Sequence, residues 1–283
     1  MKIIALVNSA ASNVGANGVK RMREALASLE VSAEVVSLNL GDAAGQLRAL
    51  ASQAADTIIV WGGDGTHRSA LNTIGRSPSG LILLPGGTRN LLSRALHGAG
   101  SWEQILRAVL RAPTQRAVPA GEINDERFFC ALLAGAPARM AQARETLRHG
   151  DVGRAVGEVG LALSDINDLQ LVVRYSDLGS LGLRLPKTNL VAGLVGPLSA
   201  YNRMEIAVLP YPSVITTLDV VWSSFNSGFR DLPGVVTVPA EMFEIENEGQ
   251  GEIPVVIDGE IISAGKHIQA RFIELGGYCL TAG

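Results

Sequence analysis

The stretch TIIVWGGDGTHRSAL, Thr57 to Leu71, decides how this chain is to be read. An apolar, β-branched run ends at three glycines set around one aspartate, and a segment of helical character follows. A strand buried on both faces reads as a continuous apolar run, so this order marks the carboxyl end of a strand in a parallel sheet. A second stretch, LILLPGGTRNLLSRAL from Leu81 to Leu96, repeats the layout about two dozen residues on. The two belong to one construction.

Outward from this pair, short β-branched runs alternate with helical periods from Lys2 to about Pro113, the pattern of a sheet covered on both faces. The strands are expected at Ile3 to Val7, Glu34 to Leu38, Thr57 to Trp61 and Leu81 to Leu84. Val19, Met22, Leu26 and Leu29 share one helical face, and Trp102, Ile105, Leu106, Val109 and Leu110 form a second stripe. Both are packing surfaces rather than binding sites.

Past Pro113 the texture changes. VPAGEINDERFFCALLAGA is expected to form two strands turning at Asn124 and Asp125, residues that tolerate tight reversal. Ala138 to Asp168 has helical character, and the remainder is short Val- and Ile-rich runs separated by Gly, Pro and Asn. The expected fold is therefore α/β: an N-terminal doubly wound, mostly parallel sheet domain, then a C-terminal antiparallel β-sandwich-like domain with a helical insertion. The boundary is placed at residues 1–116 against 117–273, with 274–283, which contain the run GYCLTA, free to complete the first domain.

The chain has 283 residues, 47% hydrophobic and 18% charged, with a formal net charge of −3. That is ample material for two cores, and it lacks the basic face that nucleic-acid binding needs to displace counterions. Twenty of the 24 basic residues are arginines. A GC-rich genome explains that bias more readily than phosphate binding does. Cys130 and Cys279 are too few for a disulfide framework, which suits a reducing compartment, and neither has a partner at zinc-ligand spacing. IIALV, near the start, is too short for a signal-peptide core, and no uninterrupted apolar run reaches the ~20 residues of a membrane span.

In an open parallel sheet, ligands sit beyond the carboxyl ends of the strands, where GGDGT and PGGTRN would both lie. Gly62, Gly63 and Gly65 lack Cβ atoms, so the backbone can turn sharply and present its N–H groups to a phosphate. Thr66 is expected to cap the next helix, and Thr88 or Asn90 the one after it. Asp64 needs a separate explanation, because a carboxylate repels phosphate unless a metal ion or a transferable proton stands between them. A strand, glycine turn and helix cap can also exist without any ligand. Neither loop matches GxxxxGK[ST], and no lysine falls between Lys20 and Lys187, so a P-loop nucleotidase is excluded. A triphosphate here would be neutralised by Mg²⁺, backbone amides and arginines such as Arg89 and Arg94.

These residues resemble the diacylglycerol kinase catalytic-domain superfamily, which includes sphingosine kinases and bacterial lipid kinases and is related in fold to NAD kinase and phosphofructokinase. GGDGT at Gly62 to Thr66 is the shared signature, and PGGTRN at Pro85 to Asn90 resembles the family's P-x-G-T-x-N loop. VVIDGE at Val255 to Glu260 resembles its D-G-E motif. The resemblance implies ATP, with Mg²⁺ carried on it, in the cleft of an α/β domain. It also implies a lipid hydroxyl acceptor entering from a β-rich domain. The nucleotide would be held by Asn8, Ser37, Gly62, Gly63, Asp64, Gly65, Thr66, Gly86, Gly87, Thr88, Asn90 and Arg94. Catalysis would fall to Asp64 and to Glu260, the counterpart of the family's proton acceptor, with Asp258 beside it. The resemblance further implies a cytoplasmic protein in peripheral contact with the inner face of the membrane, and leaves a homodimer open.

Three departures stand against the family pattern. Its first loop usually reads N-P-x-x-G, whereas Asn8 is followed here by Ser9 and the glycine waits until Gly15. Its second usually continues N-D-F-A-R, whereas this chain has Asn90-Leu91-Leu92-Ser93-Arg94. Many bacterial relatives carry D-G-x-L in the second domain, and PSVITTLDVVW has no Asp-Gly pair, so no all-protein metal site is expected. Taken by itself, Asp258-Gly259 reads as a hairpin turn. His67 is expected to be an exposed first-turn helix residue, and Arg139 and Arg144 either line the cleft or sit on a solvated helix face. VAGLVGPL, Val191 to Leu198, suits an acyl-chain pocket or a central strand equally. The competing functions are a nucleotide- or lipid-binding regulator without catalysis, and a kinase of a soluble acceptor such as NAD.

Overall fold

The computed structural model describes residues 2–136, 138, 157, 160, 169–177, 180–209 and 234–283. The chain divides into two compact units, Met1–Pro119 with Glu274–Gly283, and Ala120–Ile273.

The first unit is built on β1 (Ile3–Val7), α1 (Gly18–Ser28), β2 (Ala33–Ser37), α2 (Ala43–Ser52), β3 (Thr57–Gly62), α3 (Asp64–Ile74), β4 (Gly80–Pro85), α4 (Leu91–His97) and α5 (Trp102–Arg111). The sheet runs β2-β1-β3-β4 and every pair in it is parallel. All residues of β1 and β3 are buried, as a sheet with two covered faces demands. Right-handed crossovers fix which helix covers which face. The chain steps one way from β1 to β2 and the other way from β2 through β3 to β4, so α1 lies opposite α2 and α3. Met22 and Leu26 of α1 share a core with Ile3, Ala5, Ile59, Trp61 and Ile82, and Trp102, Ile105, Leu106 and Val109 of α5 join it. The two stripes in the sequence are thus packing surfaces. A reciprocal cap between Ser101 and Gln104 starts α5, and the Asp42 carboxylate accepts the Gly45 N–H at the start of α2.

The last ten residues are stitched into this unit. Leu280 packs on its core, the Gly75 carbonyl accepts the Tyr278 N–H at 2.7 Å, and the Gly283 N–H reaches the Ala112 carbonyl at 3.0 Å.

The second unit is antiparallel. Its strands are β5 (Pro113–Ile123), β6 (Glu126–Phe128), β7 (Ala131–Gly135), β8 (Leu171–Asp177), β9 (Ser180–Arg184), β10 (Leu190–Leu194), β11 (Met204–Val208), β12 (Val236–Ala240), β13 (Met242–Asn247), β14 (Val255–Ile257), β15 (Glu260–Ile262) and β16 (His267–Ala282), the ends of β5 and β16 belonging to the first unit. They form two six-stranded sheets, β12-β11-β10-β7-β14-β15 and β6-β5-β16-β13-β8-β9. Asn124 and Asp125 turn the chain between β5 and β6 with φ of 49° and 63°, the left-handed pair of a tight hairpin. Leu132, Val191, Ile206 and Val255 of one sheet and Val173, Phe243, Ile245 and Ile268 of the other share one core, which makes the unit a sandwich. The first half of VAGLVGPL, Val191 to Leu194, lies in β10, a strand wholly buried between β11 and β7, so its apolar character serves a central strand.

Among the described residues no helix is long and apolar enough to cross a membrane. The helical segment read over Ala138 to Asp168, with Arg139, Arg144 and His149, lies outside the described residues apart from Ala138, Gly157 and Gly160. So does the stretch with Tyr211, Trp222 and Phe225.

Phe243 carries the sandwich core, its ring lying where a Cβ on Gly193 would approach it at 3.1 Å. Phe243→Ala is expected to cost the protein about 3–5 kcal/mol in chemical denaturation, as deletion of a fully buried aromatic ring does.

Candidate functional site

The strand order of the first unit reverses between β1 and β3, and the helices that follow them leave toward opposite faces, which opens a crevice at their carboxyl ends. Three connections meet there: residues 8–15 after β1, the Gly63 junction between β3 and the first turn of α3, and residues 86–90 after β4. Ser37 closes β2 at the neighbouring strand end; it is exposed, and its carbonyl accepts the Gln46 amide at 2.9 Å. Arg94 is exposed on α4.

The glycines do more than leave room for a ligand. A Cβ built on Gly87 would stand 2.8 Å from the Gly63 Cα, and one on Gly63 would stand 3.4 Å from the Gly87 Cα. The second and third loops therefore touch backbone to backbone. The Gly86 N–H donates to the Gly62 carbonyl at 2.7 Å, which extends the β3–β4 ladder into the loops. At Gly62 the space of a side chain is taken by Thr66, 2.8 Å from the nearest Cβ position.

The N-cap of α3 is Gly63, so Thr66 lies inside the first turn rather than capping it, contrary to the sequence expectation. A helix starting at Asp64 leaves the N–H groups of Asp64, Gly65 and Thr66 without intrahelical partners at the crevice. The Thr66 hydroxyl accepts the Asn8 side-chain amide at 2.9 Å, which keeps its own proton free to donate. Asn8 is fixed in turn by its Oδ1, which accepts the Ala10 N–H at 3.1 Å. Asn90 starts α4 in the left-handed region, φ 53°, and its side chain does not cap that helix. Instead it grips Gly87 twice, accepting its N–H and donating to its carbonyl, each at 2.7 Å. The capping duty at α4 passes to Asp64, whose Oδ1 accepts the Leu92 N–H at 3.3 Å. Asp64 is thus aimed by two neighbouring helices while staying half-buried.

Sequence reasoning missed the first loop's part. Asn13 donates through its backbone to the Gly86 carbonyl at 2.9 Å and through its side chain to the Gly87 carbonyl at 2.7 Å, and Ser12 meets Thr88 hydroxyl to hydroxyl at 3.1 Å. Asn and Ser after a strand signal a turn, and nothing in their spacing names a partner more than 70 residues away.

The other two candidate carboxylates stand in the second unit. β14 and β15 form a hairpin whose turn is Asp258-Gly259, with φ of 50° and 93°. The Asp258 carboxylate accepts three backbone N–H groups, from Phe129 at 2.7 Å and from Cys130 and Ala131 at 2.9 Å. It works as an internal anion that ties the hairpin to the β6–β7 connection. Glu260, the first residue of β15, is exposed. Among the described residues no group of three or more His, Cys, Asp or Glu side chains could hold a metal ion.

Residues 2–123 match the family described as diacylglycerol kinase catalytic domain. No curated protein matches the sequence. Solved structures similar to the chain include a diacylglycerol kinase from Bacillus anthracis strain Sterne, 18% identical, with a TM-score of 0.65 over 99% of this chain and 96% of that one. Two more from the same organism are 20% identical, with TM-scores of 0.68 and 0.67, and span 99% and 98% of this chain and 96% of each of theirs. At such identity the likeness to the structures is one of fold, and it covers both units.

His67, expected on an exposed first turn, is completely buried, and its Nε2 lies 3.0 Å from the Leu84 carbonyl. Burial holds its pKa below the usual histidine range against the opposing pull of Asp64 and the Leu84 carbonyl. His97 is pushed down from 6.5 to about 4, again by burial, with the Leu83 carbonyl opposing and His67 and Arg116 adding to the shift. A folded pKa below the unfolded one means that, between pH 6.5 and 4, the unfolded chain binds protons the native state refuses. Stability is therefore full above pH 6.5 and declines toward pH 4. The melting temperature is expected to fall over that window, and His97→Gln to fall less over the same window; equal slopes for both proteins would remove His97 from the account.

Proposed function

With residues 2–123 matching a diacylglycerol kinase catalytic domain, we propose that this chain transfers the γ-phosphoryl group of ATP to the hydroxyl of a lipid such as diacylglycerol or a sphingoid base. The observation that carries the reading is the crevice where three loops are bolted together, leaving first-turn N–H groups of α3 and a half-buried carboxylate side by side. Phosphoryl transfer asks for positioning and charge neutralisation more than for covalent chemistry from the protein. The N–H groups of Asp64, Gly65 and Thr66 and the Thr66 hydroxyl take phosphate oxygens, with Arg89 and Arg94 as the nearby cations in sequence. Mg²⁺ arriving on the triphosphate supplies charge neutralisation. Asp64 orients the reacting end and Glu260 accepts the proton of the attacking hydroxyl. Asp258 positions Glu260, since its own oxygens are spent on three amides.

The acceptor is a lipid in this reading for a second reason. A cavity of about 200 Å³ in the second unit has Ile253, Pro254, Val255, Ile261 and Ile262 in its walls, with Ala138, Glu252 and Ser263 completing the lining, and Ile261 and Ile262 follow Glu260 directly in the chain. An aliphatic wall next to the proton acceptor suits a hydroxyl attached to an acyl or alkyl chain. Such a substrate resides in a membrane, so the enzyme works at the cytoplasmic surface by peripheral contact.

Incubation with γ-labelled ATP and a total lipid extract, with NAD as a parallel acceptor, is expected to place label in the lipid phase. Asp64→Asn and Glu260→Gln should each cut that transfer by a factor on the order of a hundred while melting like the parent. Asp258→Ala should instead lose about 2 kcal/mol or more of stability, because three amides lose their acceptor. Label in NAD would move the acceptor to a soluble one. Stoichiometric ATP binding without transfer to any acceptor would make the protein a nucleotide-binding regulator.

A further inference from the structure

The first loop of the crevice makes contacts that hold the third loop. Three donors and acceptors converge on one residue, Gly87. Its carbonyl receives two side-chain amides, Asn13 Nδ2 and Asn90 Nδ2, each at 2.7 Å, and its N–H is held by Asn90 Oδ1 at 2.7 Å. A carbonyl oxygen has two lone pairs, so this one is fully occupied.

The consequence lies in the next amide. In a trans peptide the C=O of one residue and the N–H of the next point in opposite directions. With the Gly87 carbonyl drawn between the two asparagines, the Thr88 N–H faces away from both. Among the described residues that N–H has no partner, and Thr88 is exposed. A glycine next to this bond would otherwise let the peptide turn over at little cost, since it carries no Cβ to resist rotation. The Ser12 hydroxyl, 3.1 Å from that of Thr88, holds the side chain from the same loop.

We infer that Asn13 is a positioning residue of the phosphate site: with Asn90 it fixes the Gly87–Thr88 peptide so that the Thr88 N–H is presented to an incoming phosphate oxygen. This rests on reading the crevice as a nucleotide site. Asn90 is placed to do part of the work from within its own loop, whereas Asn13 reaches across from another strand end and ties the geometry of two loops together. Asn13 is exposed and contributes nothing to either core, so its side chain can be removed without unfolding the unit. Its backbone bond to the Gly86 carbonyl survives any substitution other than proline.

The test titrates the full-length protein and its Asn13→Ala and Asn13→Asp variants with Mg-ATP and with inorganic tripolyphosphate by calorimetry, and melts all three. Loss of one hydrogen bond to the oriented peptide is expected to weaken both ligands about tenfold in Asn13→Ala. Asn13→Asp, which sets a carboxylate against a carbonyl oxygen, should weaken them further. The KM for ATP should rise while kcat moves little, and melting should shift by no more than a few degrees, as for an exposed substitution. Unchanged affinity in Asn13→Ala would overturn the inference and leave the kinase reading standing. So would an affinity loss that merely tracks a large fall in melting temperature, or a variant that does not fold, since the role would then be structural. A parent protein that binds neither ligand would overturn the nucleotide reading and this inference with it.

Discussion

Two backbones meet at Gly63 and Gly87, and the rest of the crevice depends on that contact. The approach requires glycine at position 87, where a methyl group would stand 2.8 Å from the Gly63 Cα and overlap the opposite chain. The approach brings the first turn of α3 beside the loop after β4, and from it follow the Asp64 bond to Leu92 and the Asn90 grip on Gly87. The glycine-rich wording of both loops is therefore first a statement about how the loops pack on each other. Whatever binds above them inherits a floor already built.

The carboxylates show how similar sequence surroundings produce different physics. Asp64 and Asp258 are each followed by glycine, yet Asp64 accepts the Leu92 N–H at 3.3 Å and stays half-buried, whereas Asp258 accepts three amides at 2.7–2.9 Å. Three short bonds to consecutive amides make that carboxylate a rivet between the hairpin and the β6–β7 connection. Glu260, two residues beyond that rivet, is exposed at the start of β15.

Much of the fold was legible in the residues. Apolar runs such as IIALV and TIIVW are unambiguous for strands buried on both faces, and the stripe of α5 repeats at helical spacing. The turns at Asn124-Asp125 and Asp258-Gly259 announce themselves because few residue pairs accept positive φ twice in succession. The site was legible only in outline. His67 looked like a polar first-turn residue, but α3 begins at Asp64 and rotates that position under the sheet end, against Leu84. Likewise Thr66 and Asn90 looked like caps, and each found a different partner in Asn8 or Gly87. Such pairings depend on the distance between loops whose closeness is itself a tertiary outcome. VAGLVGPL was ambiguous because apolarity alone does not distinguish a strand's neighbours from a ligand.

One feature of the fold bears on how the protein is made. Residues 274–283 supply Leu280 to the first core and close its edge through Tyr278 and Gly283, although more than 150 residues of the second unit are synthesised in between. On a ribosome the parallel sheet emerges early, but its covering remains unfinished until the distal segment leaves the exit tunnel. The four-stranded sheet must therefore wait, partly clothed, while those intervening residues are made, and a chaperone has that interval in which to shield it.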